Sequence, residues 1–372
     1  MTRSWVVIDH EALRHNVAVI GRAVGAGPVL CAVVKADGYG HGAVEVARTV
    51  LDAGASGLAV AHAHEGAALR MAGIAAPVLL LSEPVDAAEL RAVVEHRLQS
   101  AVYSEAGVDA LAATGAELDV HLKVDTGMRR VGAEPADAVA LAERIARSPN
   151  LRLLGLWTHC AVADEPDNAF TVVQLGRFAE VADRLRRAGF EVPVLHVGNS
   201  AALFAHPGSH QDMVRPGIAL YGVAPAPALA SHAGVAELRP VLSWYAPVTM
   251  VKRVPAGEGV SYGHHRRTDR DTVVATVPVG YADGLPRRWG LRGGAVLVGG
   301  RRCPILGVVT MDQVMIDCGP DASVARGDEA VLIGRQGAVE ITAVEVAMAT
   351  DTIAYEILTR IGPRVLRRHV NR

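Results

Sequence analysis

The sequence of 372 residues has few aromatic residues, few cysteines and almost no net charge: Phe, Trp and Tyr together make 4% of it, four residues are Cys, and the formal net charge is -2. The cysteines, Cys31, Cys160, Cys303 and Cys318, lie far apart with no C-x-x-C pair. That spacing suggests neither a zinc site nor a disulfide framework, and it fits a reducing compartment. Basic and acidic residues are interspersed, so no basic stripe recommends nucleic acid or an anionic membrane as a partner. The opening MTRSWVVIDHEALRHN has an apolar stretch too short for a signal peptide and far too short to cross a bilayer. A cytoplasmic location is therefore expected, with no membrane and no nucleic-acid partner and no metal.

What is present is an ordinary globular share of hydrophobic residues, 50%, rich in Gly and Ala. The length suits one large α/β barrel plus a second domain. From Val29 onward, short apolar runs alternate with amphipathic stretches, the pattern of β-then-α units on a parallel sheet. Strand-like runs occur at Val29 to Val34, Gly57 to Val60, Val78 to Leu81, Gln99 to Val102, Val120 to Val124, Leu153 to Thr158, Val194 to Val197 and Asp212 to Val214. Eight runs close a barrel. Between them, Asp86 to Glu95 has helical spacing behind a capping Asp, and Gly54, Gly73, Gly115 and Gly189 sit where helices end.

Trp5 to Ile8, with the helical stretch to Val24, predicts an extra strand and helix ahead of the barrel, giving a first domain over 1–235. Near Pro225 the character changes, APAPA introducing turn chemistry, and from Pro240 onward short Val-rich runs lie between Gly and Pro, including Thr272 to Val279, Ala295 to Val298 and Ala330 to Ile333. These predict a mostly β C-terminal domain over 236–372, closed by helical segments around Thr342 to Met348 and Thr352 to Arg360. The expected fold is thus α/β, an eight-stranded TIM-type barrel followed by a β-rich domain.

Catalytic groups of such barrels sit where strands end. The first run leads directly into KADGYGHG, which places Lys35 at the barrel mouth among glycines that allow tight turns. A lysine held and desolvated there can form a Schiff base with an aldehyde. The seventh run ends HVGNSAA, where Asn199 or Ser200 can cap a helix facing an anion, and the eighth ends VRPGIALYG. Loops after strands seven and eight are the usual phosphate-binding position. Lys123, Arg130 and His159, from the ends of the fifth and sixth runs, add cationic donors suited to a carboxylate or phenolate.

Seven motifs in order, AVVKADGYGHG, KVDTGMRRVG, HVGNSAA, VRPGIALYG, GVSYGHH, VGYADGLPR and VTMDQVMID, give the chain a resemblance to the alanine racemases, fold-type III pyridoxal-phosphate enzymes, over essentially its whole length. The resemblance implies pyridoxal 5'-phosphate as cofactor and L- and D-alanine as substrates, interconverted by two bases and supplying D-alanine for peptidoglycan. It implies that Lys35 holds the cofactor and serves as one base, while Tyr262, lent by the second domain of a partner subunit in a homodimer, is the other. Arg215 is similar to the family's partner of the pyridine nitrogen, His196 to the residue bonded to that arginine, and His159 to one packed near the cofactor ring. Tyr39, Ser200, Gly217, Ile218 and Tyr355 match phosphate contacts. Arg130 matches a residue near the substrate carboxylate, and Lys123 a lysine that is often carbamylated and then orients that arginine. Met311 and Asp312 match partner-subunit residues near the substrate carboxylate, and Tyr281 one lining a narrow entrance.

Two positions depart from the family pattern: Asp37 stands where many relatives have Asn, and Thr310 where some have Cys. Three rival readings remain. A same-fold racemase of serine or of a broader range differs only in pocket bulk, which packing discriminates poorly. A basic amino-acid decarboxylase would place an acid at the pyridine nitrogen, against Arg215. A non-catalytic pyridoxal-phosphate carrier would not need Tyr262 or Asp312.

Overall fold

The computed structural model describes residues 3–372. The strands are, in chain order, β1 (Trp5–Asp9), β2 (Val29–Val33), β3 (Gly57–Val60), β4 (Val78–Leu80), β5 (Gln99–Val102), β6 (Leu118–Lys123), β7 (Leu151–Trp157), β8 (Val194–Asn199) and β9 (Met213–Arg215). They continue as β10 (Leu242–Pro247), β11 (Met250–Val254), β12 (Gly259–Val260), β13 (Arg266–Arg267), β14 (Thr272–Val277), β15 (Ala295–Val298), β16 (Arg301–Pro304), β17 (Val314–Gly319), β18 (Glu329–Gln336), β19 (Val339–Ile341) and β20 (Leu366–Val370).

The chain divides into two units. The first, Leu13–Gly38 with Ala43–Arg239, contains β2 to β9 as a closed parallel barrel, its seam made where Val29 pairs with Met213. All eight predicted runs are strands of it, with ends shifted by up to two residues. The continuous burial of Gly57–Val60 and Val78–Leu80 is what parallel strands covered on both faces require. The outer helices start and stop where local chemistry dictates. Asp86 accepts from the Ala88 and Glu89 N–H groups at the start of Ala87–Glu95, and Ser104 accepts from Gly107. Gly54, Gly73, Gly115 and Gly189 all adopt positive φ behind their helices.

The second unit comprises residues 3–12, Tyr39–Gly42 and Pro240–Arg372. Its largest sheet has seven strands, six of them in the order β16-β15-β18-β10-β1-β20, with β19 paired to β18. A three-stranded sheet runs β11-β14-β17, and β12 pairs with β13. Here the structure corrects an expectation: β1 lies outside the barrel domain over 1–235 in which the sequence places it, pairing antiparallel with β10 and parallel with β20 in this unit. The reason lies in its side chains. Trp5–Asp9 alternates half-buried and buried residues, the mark of a strand with one wetter face, whereas barrel strands such as Gly57–Val60 and Val78–Leu80 are buried throughout.

Candidate active site

Lys35 follows β2 by one residue. Behind it Ala36, Asp37, Gly38 and Tyr39 all take left-handed backbone angles, with φ of 51°, 53°, 61° and 55°. Such a run costs roughly 1–2 kcal/mol for each residue that is not glycine, so it must be held from outside. Glu65 supplies much of that hold. Its Oε1 accepts from Ala36 N at 2.6 Å, and its Oε2 from Ala61 N and His62 N. Asp37 Oδ1 accepts from Ala43 N at 2.9 Å, which gives the first departure from the family pattern a structural role. Burial, and secondarily the Arg130 guanidinium, lower the pKa of the Lys35 amine, against a raising effect from Glu65. A lowered amine is a better nucleophile and base near neutral pH.

Arg215, at the end of β9, is 3% exposed. Its Nη1 donates to His196 Nδ1 at 2.8 Å, and its Nη2 donates to the carbonyls of Thr158 and Val197. Burial lowers its pKa to about 10, so it stays charged at neutral pH. An arginine can only donate, which forces a sequence of protonation states. His196 accepts at Nδ1, so it carries its proton on Nε2 and donates that proton to His121 Nδ1 at 2.9 Å. His121 then carries its own proton on Nε2, an atom with no hydrogen-bond partner among the described residues. Both rings are neutral: burial lowers the His196 pKa well below its usual value and that of His121 to about 4. Trp157 stacks on His196 at 5.6 Å and also lies under Lys123 Nζ and the Arg215 guanidinium, at 4.4 and 4.8 Å.

Lys123, at the end of β6, is 3% exposed, and burial, then Arg130 and Arg215, lower its pKa to about 8. Burial and the surrounding cations likewise hold His159 well below its usual value. Ser200 Oγ accepts from Gly217 N at 2.8 Å and Ala219 N at 3.3 Å, joining the loops after β8 and β9. Asn199 is the helix cap, accepting from Ala201 and Ala202 N–H groups. Ile218 is fully buried. Arg130 is exposed on its loop. In this unit the structure therefore brings Lys35, Lys123, Arg130, His159 and Arg215 close enough to perturb one another, with Ser200 and Gly217 joined nearby in the chain's β8 and β9 loops.

The remaining predicted residues belong to the second unit. The rings of Tyr39 and Tyr355 lie 6.1 Å apart, and burial raises the Tyr39 pKa. Thr310 N donates to Gln313 O, so Met311 and Asp312 form the tip of a tight hairpin, and Thr310 Oγ1 donates to Gln313 O at 2.8 Å. That is the structural use of the second departure. Ala282 N donates to Met311 O and Tyr281 N to Thr310 O, which tie Tyr281 to this tip. A side chain at Gly280 would sit 2.2 Å from the Met311 carbonyl, so the contact needs glycine. Asp312 Oδ1 accepts from Arg364 Nη2 at 2.7 Å. Ser261 Oγ donates to Val308 O and so anchors the turn that carries Tyr262. Tyr262, Met311 and Tyr281 are 73, 53 and 40% exposed.

Glu65, His121 and Trp157 are the site residues that sequence reasoning missed. One signal for His121 was available: it stands two residues before Lys123 on one strand, on the same face by alternation. Gly155 is its neighbour on β7. A Cβ there would meet the His121 ring at 2.1 Å.

A closed eight-stranded β/α barrel with a perturbed lysine and a cationic cluster at its strand ends, followed by a mostly β unit, defines a barrel enzyme with an appended β domain. Residues 8–225 match the family described as alanine racemase, N-terminal domain, and residues 241–369 the alanine racemase C-terminal domain. The chain belongs to the alanine racemase family of enzymes. It is 46% identical over 371 residues to the alanine racemase of Symbiobacterium thermophilum, covering 99% of this chain and 97% of that one. Among solved structures, the alanine racemase of Streptomyces coelicolor A3(2) aligns with a TM-score of 0.95 at 41% identity, covering 100% of this chain and 99% of that one. The alanine racemase of Bacillus anthracis with bound L-Ala-P aligns with a TM-score of 0.93 at 37% identity, covering 100 and 96%. Among the described residues no helix is long and apolar enough to cross a membrane, and no cluster of three or more His, Cys, Asp or Glu residues can hold a metal ion.

Proposed function

We propose that the protein interconverts L- and D-alanine using pyridoxal 5'-phosphate, with Lys35 and Tyr262 as the two bases. The observation that carries the proposal is the Lys35 amine, which burial and Arg130 hold below its usual pKa at the end of a barrel strand.

The donor set fits that cofactor. Lys35 offers a nucleophilic amine for its aldehyde. Ser200, Gly217 and Ile218, with Tyr39 and Tyr355, would hold its phosphate, Arg215 its pyridine nitrogen, and His159 would lie near its ring. Bound pyridoxal phosphate supplies covalent attachment for the amino acid and a ring that draws electrons from the Cα–H bond. Everything else falls to the chain. Racemisation requires a proton to leave one face of Cα and another to arrive on the opposite face. The Lys35 amine takes or gives the proton on one face, and the Tyr262 hydroxyl does so on the other. Arg215 keeps its proton at neutral pH and already donates to His196, so it offers the ring nitrogen a hydrogen bond without protonating it. That weaker electron sink favours simple proton return over side reactions.

Arg130 and Met311, with Asp312, would meet the substrate carboxylate, and Tyr281 would narrow the entrance. A Lys123 amine with a pKa lowered to about 8 has a minor neutral fraction near physiological pH that is able to add carbon dioxide, releasing one proton and leaving an anionic carbamate to orient Arg130. The exposure of Tyr262, Met311 and Tyr281 supports a homodimer in which these side chains complete a partner's site. The expected setting is the cytoplasm, with D-alanine destined for peptidoglycan.

The test is a D/L interconversion assay on L-alanine with and without added pyridoxal phosphate, followed by borohydride trapping and peptide mapping. The label should fall on Lys35, and Lys35→Ala should lose both label and turnover. A label on another lysine, or turnover indifferent to the cofactor, would overturn the proposal.

A further inference from the structure

Cys303 and Cys318 are not used by the chemistry above, yet the fold sets them opposite each other. Ile305 and Ile316 form an isolated antiparallel bridge, and Leu306 N donates to Met315 O at 2.8 Å beside it. The same register, two residues outward on each strand, pairs Cys303 with Cys318. The hydrogen bond flanks the Ile305–Ile316 pair, so this is a non-hydrogen-bonded site, and alternation makes the cysteine pair one too. Residues in such sites have Cα atoms about 4.5 Å apart and their side chains closest together. That separation lies within the span a disulfide bridges.

All four side chains are buried on one face. Both thiols are free, and they lie close enough to share a hydrogen bond.

We infer that Cys303 and Cys318 form a reversible dithiol–disulfide site whose oxidant is a low-molecular-weight disulfide. Access comes from the fold. β16 is the terminal strand of the large sheet and β17 that of the three-stranded sheet, and one isolated bridge is the ladder pairing between them. Terminal strands joined so sparsely open at low free energy.

The chemistry is polar in one direction. The Cys318 hydrogen bond lowers the pKa of Cys303, with help from Arg301, while the same bond and burial raise that of Cys318. Cys303 is therefore the attacking thiolate. It displaces one thiolate from the small disulfide and forms a mixed disulfide. Cys318 then loses its proton and attacks Cys303 Sγ, expelling the second thiolate. Two protein thiols and one small disulfide become one protein disulfide and two small thiols. The bond would close the base of the hairpin whose tip is Met311 and Asp312.

The purified full chain, with any bound cofactor retained, is incubated with glutathione disulfide, quenched, alkylated and mapped by mass spectrometry. The expected product is a peptide linking Cys303 to Cys318, about 2 Da lighter than the two thiols, with Cys31 and Cys160 still alkylated. Cys318→Ser should accumulate a single glutathione adduct on Cys303, and Cys303→Ser should form no adduct. Dithiothreitol should reverse each product. The inference is overturned if all four cysteines stay alkylatable under conditions that oxidise the urea-unfolded chain, or if Cys303→Ser is modified at Cys318 as fast as the parent protein. A change in KM for alanine on oxidation, absent from Cys303→Ser, is also expected. That second readout rests on the proposed substrate role of Met311 and Asp312, so its failure alone would count against that role and leave the mass result standing.

Discussion

The two units carry their candidate residues on opposite principles. In the barrel unit the cations are buried and mutually perturbing: Arg215 and Lys123 are each 3% exposed, and every hydrogen bond from Arg215 to His121 has one allowed direction. In the β-rich unit the backbone is equally determined, through Gly280, Thr310 and Ser261, but Tyr262, Met311 and Tyr281 face solvent. A group whose pKa and tautomer are set by burial is ready in one chain. A phenol left 73% exposed on a rigid turn is an anchored group whose environment must come from something else. The comparison teaches that fixing the backbone and desolvating the side chain are separate tasks, and that only the first is finished in the second unit.

The sharpest way to break the comparison is at Tyr262. Tyr262→Phe removes one hydroxyl from an exposed ring, so folding and cofactor retention should be unchanged. If that hydroxyl is the second base, exchange of the α-proton starting from L-alanine should fall by ~10²–10⁴-fold, the usual contribution of a general acid or base. Isotope exchange followed by NMR from each enantiomer separately checks this. Full two-way activity in Tyr262→Phe would remove the two-base reading.

How much of this was legible beforehand follows from the same contrast. The eight barrel strands were readable because parallel strands buried on both faces must be short apolar runs, and the helix ends because Asp86 and the glycines act locally. Lys35 was readable because strand ends carry chemistry in this architecture, whereas Arg215 entered only through the resemblance of VRPGIALYG to the family motif. β1 misled because strand character says nothing about which distant sheet supplies a partner; β10 and β20 lie more than two hundred residues away. Glu65 was invisible since its work is to accept backbone N–H groups from a left-handed turn, a conformation that Ala36 and Asp37 do not advertise. Cys303 and Cys318 read as unrelated because their pairing is set by register between two sheet edges.

A second test sharpens the barrel half. Lys123 has its pKa lowered from 10.5 to about 8 by burial and neighbouring cations. Between those values the unfolded chain holds a proton that the folded chain has released, so raising the pH favours folding. Below about pH 8 both states are protonated, and the whole destabilising effect is present. In carbon-dioxide-free buffer the parent protein should therefore gain stability relative to Lys123→Met as pH rises from 8 toward 10.5, by on the order of 3 kcal/mol in total. Bicarbonate should stabilise the parent further and carry the same slope below pH 8 if the amine is taken up as a carbamate, because that uptake also releases a proton. Denaturant titrations across the range measure it, and identical slopes for parent and variant would show that Lys123 is not desolvated as described.

The smallest expected effect isolates what the histidine chain contributes. In the parent protein His121 Nε2 is a buried N–H with no partner among the described residues. His121→Leu removes that group but strips the acceptor from His196 Nε2, so the count of unpaired buried N–H groups stays the same. What is lost is one hydrogen bond, worth about 0.5–1.5 kcal/mol, and leucine burial offsets part of it. Stability should move by less than about 1.5 kcal/mol. The unpaired group, however, moves from the far end of the chain onto the residue that holds Arg215. His196 then keeps a partner on one side only, and its ring can tilt away from Arg215. Turnover should fall by roughly tenfold, the scale of a lost supporting hydrogen bond, and His121→Gln, which can accept from His196 again, should restore part of it. Imidazole nitrogen NMR reads the tautomer directly: His196 should carry its proton on Nε2 in the parent and in His121→Gln. If His121→Leu lowers stability severely and leaves turnover untouched, His121 serves packing against Gly155 and not the orientation of Arg215.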